Sequence, residues 1–463
     1  MIENNIPDIN VDEIMQKIRE EIAKRKKREN QALEDNTGSP DVRETTTWRI
    51  IKKIQYKLQK YAFYNFIYKV ALNFKKFIPK YKKHLVVKDL HKYHEEEFFK
   101  NAYRKILKRE PDALCNHRTE GMKKKRIAIV AVQPVSGERG GAERFYDGLA
   151  SALNSSKIHV NIENIISHES TFEAIHETYL RFYDLELSAY DGVISTKAPA
   201  YLIRHSNHVC YLQHTMRVFY DMFEYEFPQP TKELIKQREF IHTLDSAALK
   251  YPRTRKVFVI GNEVRKRLSE YIHIDSEVLY QSLDYDSFKC NSYEYIFMPG
   301  RLHRWKRIDL IIKAMKYVNR PLMLRIAGTG ADEMKFRKLA KGDKRIKFHG
   351  RVSDKELIDL YANALVIPFV PIREDFGLIT LESFRSCKPV ITCNDSGEPT
   401  YIVRDGKSGF ICPPDPKEIA SRLEYFYDHP EAAREMGLHG AESIQHITWE
   451  QVGEKLLSAL EIK

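Results

Sequence analysis

The sequence is poor in the cysteine patterns that build disulfide-stapled or zinc-bound domains. Its six cysteines are scattered, no two have C-x-x-C spacing, and none stands in a Cys/His cluster. This excludes a disulfide framework and a zinc site, and it predicts buried thiols in a reducing compartment. The six are Cys115, Cys210, Cys290, Cys387, Cys393 and Cys412.

Long apolar runs are also missing. No window holds about 18 uninterrupted apolar residues, so a membrane-spanning helix is not expected. Glu3 and Asp8 precede any apolar run, which is unlike a secretory signal. We therefore expect a cytoplasmic protein. Its 463 residues allow two or three domains, and its net charge of +12 favours a polyanionic partner.

Acidic residues are absent from residues 45–88, which hold twelve Lys/Arg interleaved with aromatics. A basic, aromatic-rich amphipathic helix can lie in an anionic lipid interface, so this segment predicts a peripheral contact with the inner face of the plasma membrane. The alternative is a helix whose apolar face packs on the main body. No recognisable nucleic-acid module accompanies the segment, so nucleic acid is not the expected partner.

The N-terminal residues read as an extension. Val11, Ile14 and Ile18 recur at helical spacing, which predicts a short amphipathic helix followed by a flexible linker up to Thr47. Residues 97–121 carry a Tyr…Leu-x-Arg-x-Pro-Asp pattern. This pattern resembles a small helical repeat often attached to bacterial surface-polysaccharide enzymes.

From residue 123 on, strand-like runs alternate with helical patterns in two series, separated by a break near residues 284–292. This alternation predicts two doubly wound α/β domains with ligand in the cleft at the carboxyl ends of the strands. We place the domains at 1–47 (flexible or helical extension), 48–122 (basic aromatic helical region), 123–290 and 291–463. The predicted strands are Ile127–Val132, Ile158–Ile162, Gly192–Ser195, His208–Leu212, Val257–Ile260, Tyr295–Met298, Leu322–Ala327, Ile346–His349, Leu365–Pro368 and Pro389–Thr392.

Two carboxylates, Glu374 and Glu382, flank a turn at Phe376-Gly377. Gly377 lets the backbone approach a ligand closely, and a helix beginning near Leu378 directs its N–H groups and positive dipole end at a diphosphate. Glu374 on the loop is then expected to face a transferred sugar and Glu382 to accept hydrogen bonds from ribose hydroxyls. A surface loop followed by a solvated helix acid is the alternative.

Arg301 and Lys306 follow the strand Tyr295–Met298. A nucleoside diphosphate leaving group gains negative charge in the transition state, and fixed cations stabilise it. Arg304 and Arg307 are neighbouring candidates for the same role, and any of these side chains can instead be a solvated loop cation.

These motifs, in this order, resemble the retaining glycosyltransferases of the GT-B fold, specifically family 4 of the bacterial surface-polysaccharide type. The resemblance covers residues 126–460. It rests on Gly140-Gly-Ala-Glu143, His214-Thr-Met-Arg217, Gly300-Arg301 with Lys306, Ala327-Gly-Thr-Gly330, Phe348-His-Gly350, the E-x7-E of Glu374 and Glu382, and Asp405-Gly-Lys-Ser-Gly-Phe410.

The resemblance implies two Rossmann-like domains facing a cleft. The first takes the acceptor, and the second takes the nucleotide-sugar donor and ends in a helix that crosses back. It places Gly140 and Gly141 near the donor phosphate and acceptor, and the backbone of Gly350, Arg351 and Val352 at the base. His214 is a candidate donor to the leaving phosphate or sugar. Arg217 is assigned to the acceptor or sugar region, although Met216 replaces the proline of the family's mannose-type motif.

The implied reaction is transfer of a hexose, with mannose favoured, from a nucleotide-diphosphate sugar to a lipid-linked or growing surface polysaccharide such as lipopolysaccharide O-antigen. The expected catalytic residues are Glu374, His214, Arg301 and Lys306. No metal or other cofactor is expected, because protein cations and the helix dipole take the metal's place. The alternatives are a non-catalytic basic scaffold with a degenerate transferase domain, and a nucleotide-sugar epimerase or a phosphorylase of the same fold.

Overall fold

The computed structural model describes residues 10–35, 124–134, 141–169, 171–283 and 287–462. Of these, residues 10–20 and those from 124 on belong to one compact unit, and residues 21–35 belong to another. The larger unit contains two six-stranded parallel sheets with helices between the strands. The predicted GT-B architecture of two doubly wound α/β domains is confirmed.

The elements before and within the first sheet are α1 (Val11–Asp35), β1 (Lys125–Pro134), α2 (Gly141–Leu153), β2 (Ile158–Ser167), α3 (Phe172–Tyr183), β3 (Gly192–Ser195), β4 (His208–Leu212), α4 (Phe223–Glu226), α5 (Lys232–Leu249), β5 (Lys256–Val259), α6 (Asn262–Ile272) and β6 (Glu277–Val278). The strand order is β2-β1-β3-β4-β5-β6. The apolar run 127–132 is completely buried in β1, as a strand covered on both faces requires.

The second sheet and its helices comprise β7 (Tyr295–Pro299), α7 (Ile308–Ala314), β8 (Leu324–Ala327), α8 (Glu333–Leu339), β9 (Ile346–Gly350), α9 (Asp354–Ala362), β10 (Ala364–Pro368), α10 (Leu378–Arg385), β11 (Val390–Cys393), α11 (Pro399–Ile402), β12 (Gly409–Cys412), α12 (Pro416–Asp428), α13 (Pro430–Ser443) and α14 (Trp449–Ala459). The order is β12-β11-β10-β7-β8-β9. The order therefore reverses between β7 and β10, where a doubly wound sheet opens a ligand crevice.

Several elements escape the sequence pattern. Strand β12 begins at Gly409, which reads as part of a turn, yet it pairs in register with β11. A side chain at Gly409 would place its Cβ 1.9 Å from the carbonyl oxygen of Val390, so only glycine allows the two strands to approach. Helices α5 and α6 are also not assigned by the pattern. Helix α6 packs against β5 and β6, and α5 packs against α6.

The last helix, α14, packs on α2 of the first domain. The ring of Trp449 lies 5.8 Å from that of Phe145. Gly453 faces Ala152, and a Cβ at Gly453 would lie 2.9 Å from the Ala152 carbonyl oxygen. The chain therefore begins its second domain after β6 and returns to the first domain at its end.

Helix α1 runs for 25 residues and is longer than the short helix predicted. Val11, Met15 and Ile18 are buried, and Arg19 forms an ion pair with Asp184 at 2.6 Å. The predicted linker beyond this helix, the basic aromatic segment 45–88 and the helical repeat at 97–121 lie outside the described residues. None of the described helices has both the length and the apolarity needed to cross a lipid bilayer.

The cysteine prediction holds only in part. Cys210, Cys393 and Cys412 are buried free thiols, whereas Cys290 is exposed and Cys387 is partly exposed. The prediction of buried thiols is therefore wrong for Cys290, because it lies in the connection between the two sheets and not on a core strand. Cys115 lies outside the described residues.

Candidate active site

The two charged motifs predicted from the sequence meet at the reversal point of the second sheet. Lys306 lies in a 3-10 turn after β7, and Glu374 lies in the loop after β10. The Nζ atom of Lys306 is 2.5 Å from Oε2 of Glu374, and it also lies 5.6 Å from the centre of the Phe369 ring. Because β7 and β10 are hydrogen-bonded neighbours, residues far apart in sequence form one site.

The backbone of Glu374 is fixed from both sides. Its N–H donates to the carbonyl of Ser396 at 2.8 Å, and its carbonyl accepts from the N–H of Glu398 at 2.9 Å. Gly397 sits between them at φ +75°, where a Cβ would come within 2.5 Å of the Glu374 nitrogen. The glycine therefore permits the close approach that orients the Glu374 loop.

The start of α10 is open to a ligand. Gly377 adopts φ +80°, and its side-chain position is filled by Phe369, since a Cβ would lie 2.5 Å from that ring. No side chain caps the N–H groups that begin the helix at Leu378. Phe376 is buried against the ring of Tyr280, so it presents only its backbone to the cleft. The predicted turn and helix start are confirmed. Binding of an anion by the N–H groups at this helix start stays a prediction.

Glu382 is buried one turn inside α10, and the sequence did not reveal its partner. The hydroxyl of Tyr361 on α9 donates to Oε2 of Glu382 at 2.6 Å. Burial raises the pKa of the Glu382 carboxyl, while the Tyr361 hydrogen bond and then the charge of Arg144 oppose that rise. A carboxylate that is desolvated and held on one side is suited to accept hydrogen bonds from ligand hydroxyls.

The four cations of the β7 loop differ in what they contact. Arg307 donates to both oxygens of Asp395, at 2.6 and 2.8 Å, and Arg304 is paired with Glu226. The Arg301 side chain is exposed and makes no hydrogen bond or ion pair to any described residue. Lys306, like Arg304 and Arg307, is paired with a carboxylate, so this arrangement singles out Arg301 alone. Binding of a diphosphate by Arg301 and Lys306 stays a prediction.

His214 follows β4 in the first domain, at the carboxyl edge of that sheet. Its Nδ1 lies 2.9 Å from the carbonyl oxygen of Thr215, which can only accept, so Nδ1 carries a proton and Nε2 is left to a ligand. Burial lowers the pKa of His214, the nearby Lys197 lowers it further, and Asp375 raises it. In the neutral ring Nε2 then carries no proton and can accept a hydrogen bond. This geometry does not provide the donation from His214 to the leaving phosphate or sugar that the sequence predicts.

Arg217 is held in a charged network. It contacts Asp221 at 3.0 Å and Asp375 at 3.8 Å, and its guanidinium stacks 5.1 Å from the Trp305 ring centre. Its side chain is only 12% exposed, so most of its surface is used inside the protein. A contact from Arg217 to the acceptor or sugar stays a prediction.

The remaining predicted positions fall at the carboxyl edges of the sheets. Gly141 is the first residue of α2, after β1, whereas Gly140 lies outside the described residues. Gly350 ends β9 at φ +68° and accepts the Gly328 N–H at 2.7 Å. Arg351 is exposed and Val352 is partly buried. Base recognition by residues 350–352 stays a prediction.

Contacts across the cleft were not foreseen from the sequence. Glu398 of the second domain accepts from Asn262 and Tyr280 of the first, and its Oε2 accepts the N–H of Glu263 at 2.9 Å. Glu398 thereby supplies a hydrogen-bond acceptor to a backbone N–H group at the start of α6 that has no partner within the helix. Asp375 is paired with Arg267 at 2.6 Å. Only its position next to Glu374 could have drawn attention to Asp375, and no sequence signal pointed to Arg267.

Residues 284–442 match the family model described as glycosyl transferases group 1. The second domain is therefore similar to the group 1 glycosyl transferases, and the two sheets have the GT-B fold. Membership of family 4 and the retaining stereochemistry stay predictions.

Among curated relatives, the chain is 27% identical over 146 residues to the D-rhamnosyltransferase WbpZ of Pseudomonas aeruginosa, covering 31% of this chain and 38% of WbpZ. It is 28% identical over 213 residues to the human alpha-1,3/1,6-mannosyltransferase ALG2, covering 39% of this chain and 50% of ALG2. The matches thus span no more than half the length of these two relatives.

Among solved structures, sucrose-phosphate synthase from Thermosynechococcus elongatus superposes with a TM-score of 0.58 at 17% identity, over 73% of this chain and 98% of that one. Anabaena HepE, solved with UDP and glucose, gives a TM-score of 0.55 at 13% identity, over 73% and 99%. At these identities the likeness establishes the GT-B fold alone.

Proposed function

We propose that this glycosyltransferase retains anomeric configuration and transfers a hexose from a nucleotide-diphosphate sugar to a lipid-linked or growing surface polysaccharide, without a metal ion. The observation that carries the proposal is the pairing of Lys306 with Glu374 at 2.5 Å, beside the uncapped start of α10. One site thus holds a cation and a helix N-terminus for a diphosphate, and a carboxylate for sugar hydroxyls.

Positive charge in the site stabilises the diphosphate leaving group. When the bond between the anomeric carbon and the diphosphate breaks, negative charge accumulates on the phosphate oxygens. We assign the stabilisation of that charge to Arg301, Lys306 and the N–H groups that follow Gly377. A bound diphosphate would compete with Glu374 for Lys306, so donor binding releases the Glu374 carboxylate to the sugar.

The acceptor hydroxyl then attacks from the face that the diphosphate leaves, and its proton passes to the departing phosphate. No strong general base is required. His214 Nε2 and Glu374 position the sugar, and Nε2 of the neutral His214 ring accepts a hydrogen bond from a sugar hydroxyl. Glu382, held by Tyr361, accepts hydrogen bonds from ribose.

Mannose is the favoured hexose, with rhamnose and glucose-type donors as competitors. ALG2 is named a mannosyltransferase and WbpZ a D-rhamnosyltransferase, and HepE was solved with UDP and glucose. Residues 45–88, with twelve cations and no acid, supply the proposed contact with an anionic membrane surface, where a lipid-linked acceptor would be met.

The test is a hydrolysis screen of purified protein against UDP-, GDP- and dTDP-sugars without acceptor. We expect slow release of the nucleoside diphosphate from one donor, and loss of that release in Glu374→Ala. The matched control is Glu450→Ala, which removes an exposed glutamate at the start of α14. It should behave as the unchanged protein.

Two outcomes would contradict the proposal. Undiminished release by Glu374→Ala would remove the assigned role of this carboxylate. No release from any donor, together with no thermal stabilisation by UDP, GDP or dTDP, would favour the non-catalytic scaffold. Epimerisation of a nucleotide sugar in the same samples would identify the epimerase alternative.

A further inference from the structure

A buried charged network links the two domains directly behind Glu374. It contains two guanidinium groups and two carboxylates: Arg217, Asp221 and Arg267 from the first domain and Asp375 from the second. Arg267 on α6 has a side chain only 1% exposed, and its Nη2 contacts Asp375 Oδ1 at 2.6 Å and Asp221 Oδ2 at 3.1 Å. Charges this deeply buried persist only when they are paired.

Asp375 is held as an anion by this network. Burial on its own would raise the pKa of the Asp375 carboxyl, but Arg267, followed by Arg217 and His214, reverses the effect and lowers it. The carboxylate thus brings a fixed negative charge to the junction of the two domains, one residue from Glu374.

The backbone reinforces the same contact. Gly261, immediately before α6, faces the Asp375 peptide so closely that a Cβ there would lie 2.6 Å from the Asp375 carbonyl oxygen. Arg217 Nη2 also donates to the carbonyl of Ile372 at 3.2 Å. The loop from Ile372 to Asp375 is therefore tied to the first domain by both side chains and main chain.

The network also reaches the loop of His214, because Arg217, three residues after His214, lies 3.8 Å from Asp375. The charged groups around this ring are Lys197, Asp375 and Glu169: Lys197 lowers its pKa after burial has done so, and the two carboxylates raise it, Asp375 more than Glu169. Asp221, which shares Arg267 with Asp375, is not among the largest influences on His214. Asp375 is therefore the network carboxylate that both adjoins Glu374 and acts most strongly on His214.

We propose that Asp375 is a positioning residue of the donor site: clamped by Arg267 across the cleft, it fixes the loop that carries Glu374 and presents a permanent negative charge to His214. This inference rests on the proposed function, since Glu374 and His214 are the residues it serves. Asp375 and Arg267 are then the residue pair through which closure of the two domains completes the site.

The experiment compares Asp375→Asn with Asp221→Asn in the full-length chain. Each change removes one carboxylate charge from the same Arg267, but Asp375 pairs with Arg267 between the two domains, whereas Asp221 pairs with it within the first domain. We measure the titration of His214 by NMR on histidine-labelled protein, with the signal assigned from a His214→Gln spectrum. Turnover is measured with the nucleotide sugar that gives release in the hydrolysis screen.

In Asp375→Asn we expect the His214 titration to move to lower pH, because the carboxylate that favours the imidazolium is gone. We also expect kcat to fall about 10- to 100-fold as the Glu374 loop loses its fixed position. In Asp221→Asn the titration should stay in place and kcat should fall less. Arg267→Lys, which keeps the charge and loses the forked contact, should lower kcat while His214 titrates nearly as before.

An unchanged His214 titration in Asp375→Asn overturns the inference, as does an equal loss of kcat in the two asparagine variants. The NMR measurement needs no turnover. If the unchanged protein releases no nucleotide from any sugar, the proposed function fails while the Asp375–His214 relation is still decided. If Asp375→Asn does not fold, the Arg267→Lys kinetics decide the positioning role.

Discussion

Lys306 and Glu374, 68 positions apart in the sequence, form an ion pair with 2.5 Å between Nζ and Oε2. Both side chains keep part of their surface open to the cleft, at 26% and 18% exposure. Under the proposed function, donor binding exchanges the partners of this pair, so that Lys306 contacts the phosphate and Glu374 contacts the sugar.

Replacing Lys306 by Met keeps the length of the side chain and removes its charge. We expect donor turnover to fall about 100-fold, because a fixed charge on the leaving group is lost. The control is Lys313→Met on α7, whose lysine pairs with Asp309 on the helix surface. Steady-state kinetics of both variants test this, and equal activities would contradict a role for Lys306 on the diphosphate.

Tyr361→Phe should weaken nucleotide binding. It removes the hydroxyl that holds Glu382, and we expect the Kd for the bound nucleoside diphosphate to rise about tenfold, the effect of about 1.4 kcal/mol. Tyr295→Phe is the control, because Tyr295 donates to the carbonyl of Leu360 at 3.0 Å and does not contact Glu382. Calorimetry with UDP, GDP and dTDP measures the difference. Equal Kd values for the two variants would show that the Tyr361 hydroxyl does not contribute to ribose recognition.

Gly377→Ala should destabilise the fold more than Gly406→Ala. Both glycines have φ near +70 to +80°, but a Cβ at Gly406 meets nothing within 4 Å, whereas one at Gly377 meets the Phe369 ring at 2.5 Å. The backbone alone costs about 1–2 kcal/mol in each, and the clash adds about 1–3 kcal/mol at Gly377. Urea unfolding measures the stability of both variants. Similar unfolding midpoints would show that the Phe369 ring moves aside without an energetic cost.

Asp245 gives a prediction about pH. Its carboxyl is buried among tyrosines and accepts from Tyr179 at 2.9 Å and Tyr220 at 2.7 Å, and burial raises its pKa to about 6. A carboxyl whose pKa is raised by folding stabilises the folded protein at pH values below its pKa in the unfolded chain. This contribution to the free energy of unfolding is lost as the pH rises through about 6. Burial lowers the pKa of His208 to about 4, so its contribution has the opposite sign and is lost as pH falls.

Asp245→Asn removes only the first contribution. We expect the free energy of unfolding of the variant to rise more steeply with pH than that of the unchanged protein, between about pH 4.5 and pH 6. Urea unfolding at several pH values in this range is the measurement. Parallel pH curves for the two proteins would show that Asp245 titrates alike in the folded and unfolded chain.

Neutralising four lysines of the basic segment should weaken membrane binding. Each lysine near an anionic surface contributes about 1 kcal/mol, so changing Lys52, Lys53, Lys75 and Lys76 to Gln should lower affinity for phosphatidylglycerol vesicles at least about tenfold at low salt. Replacing four lysines of the second domain by Gln is the control: Lys313, Lys316, Lys335 and Lys338. Equal vesicle binding by both variants would contradict the membrane contact.

Local patterns predicted much of the fold. The strands Gly192–Ser195 and His208–Leu212 are observed with the bounds that their apolar runs indicate, because a strand buried on both faces must be apolar throughout. Strand β12 was not predicted, because its first residue, Gly409, is of a type common in turns. Only its pairing with β11 makes this segment a strand. Helix α6 was not predicted, and its start is capped by Glu398, which is remote in sequence.

The amino-acid sequence by itself determined the alternation of strands and helices, the Gly377 turn and the two charged motifs, because these depend on residue type and local spacing. Tertiary structure alone decided which cations remain available and which carboxylates are buried. Arg307 is engaged by Asp395, Glu382 by Tyr361 and Asp375 by Arg267, each through a partner brought close by sheet order or by domain packing. Such pairings depend on distances in space that no local pattern in the chain encodes.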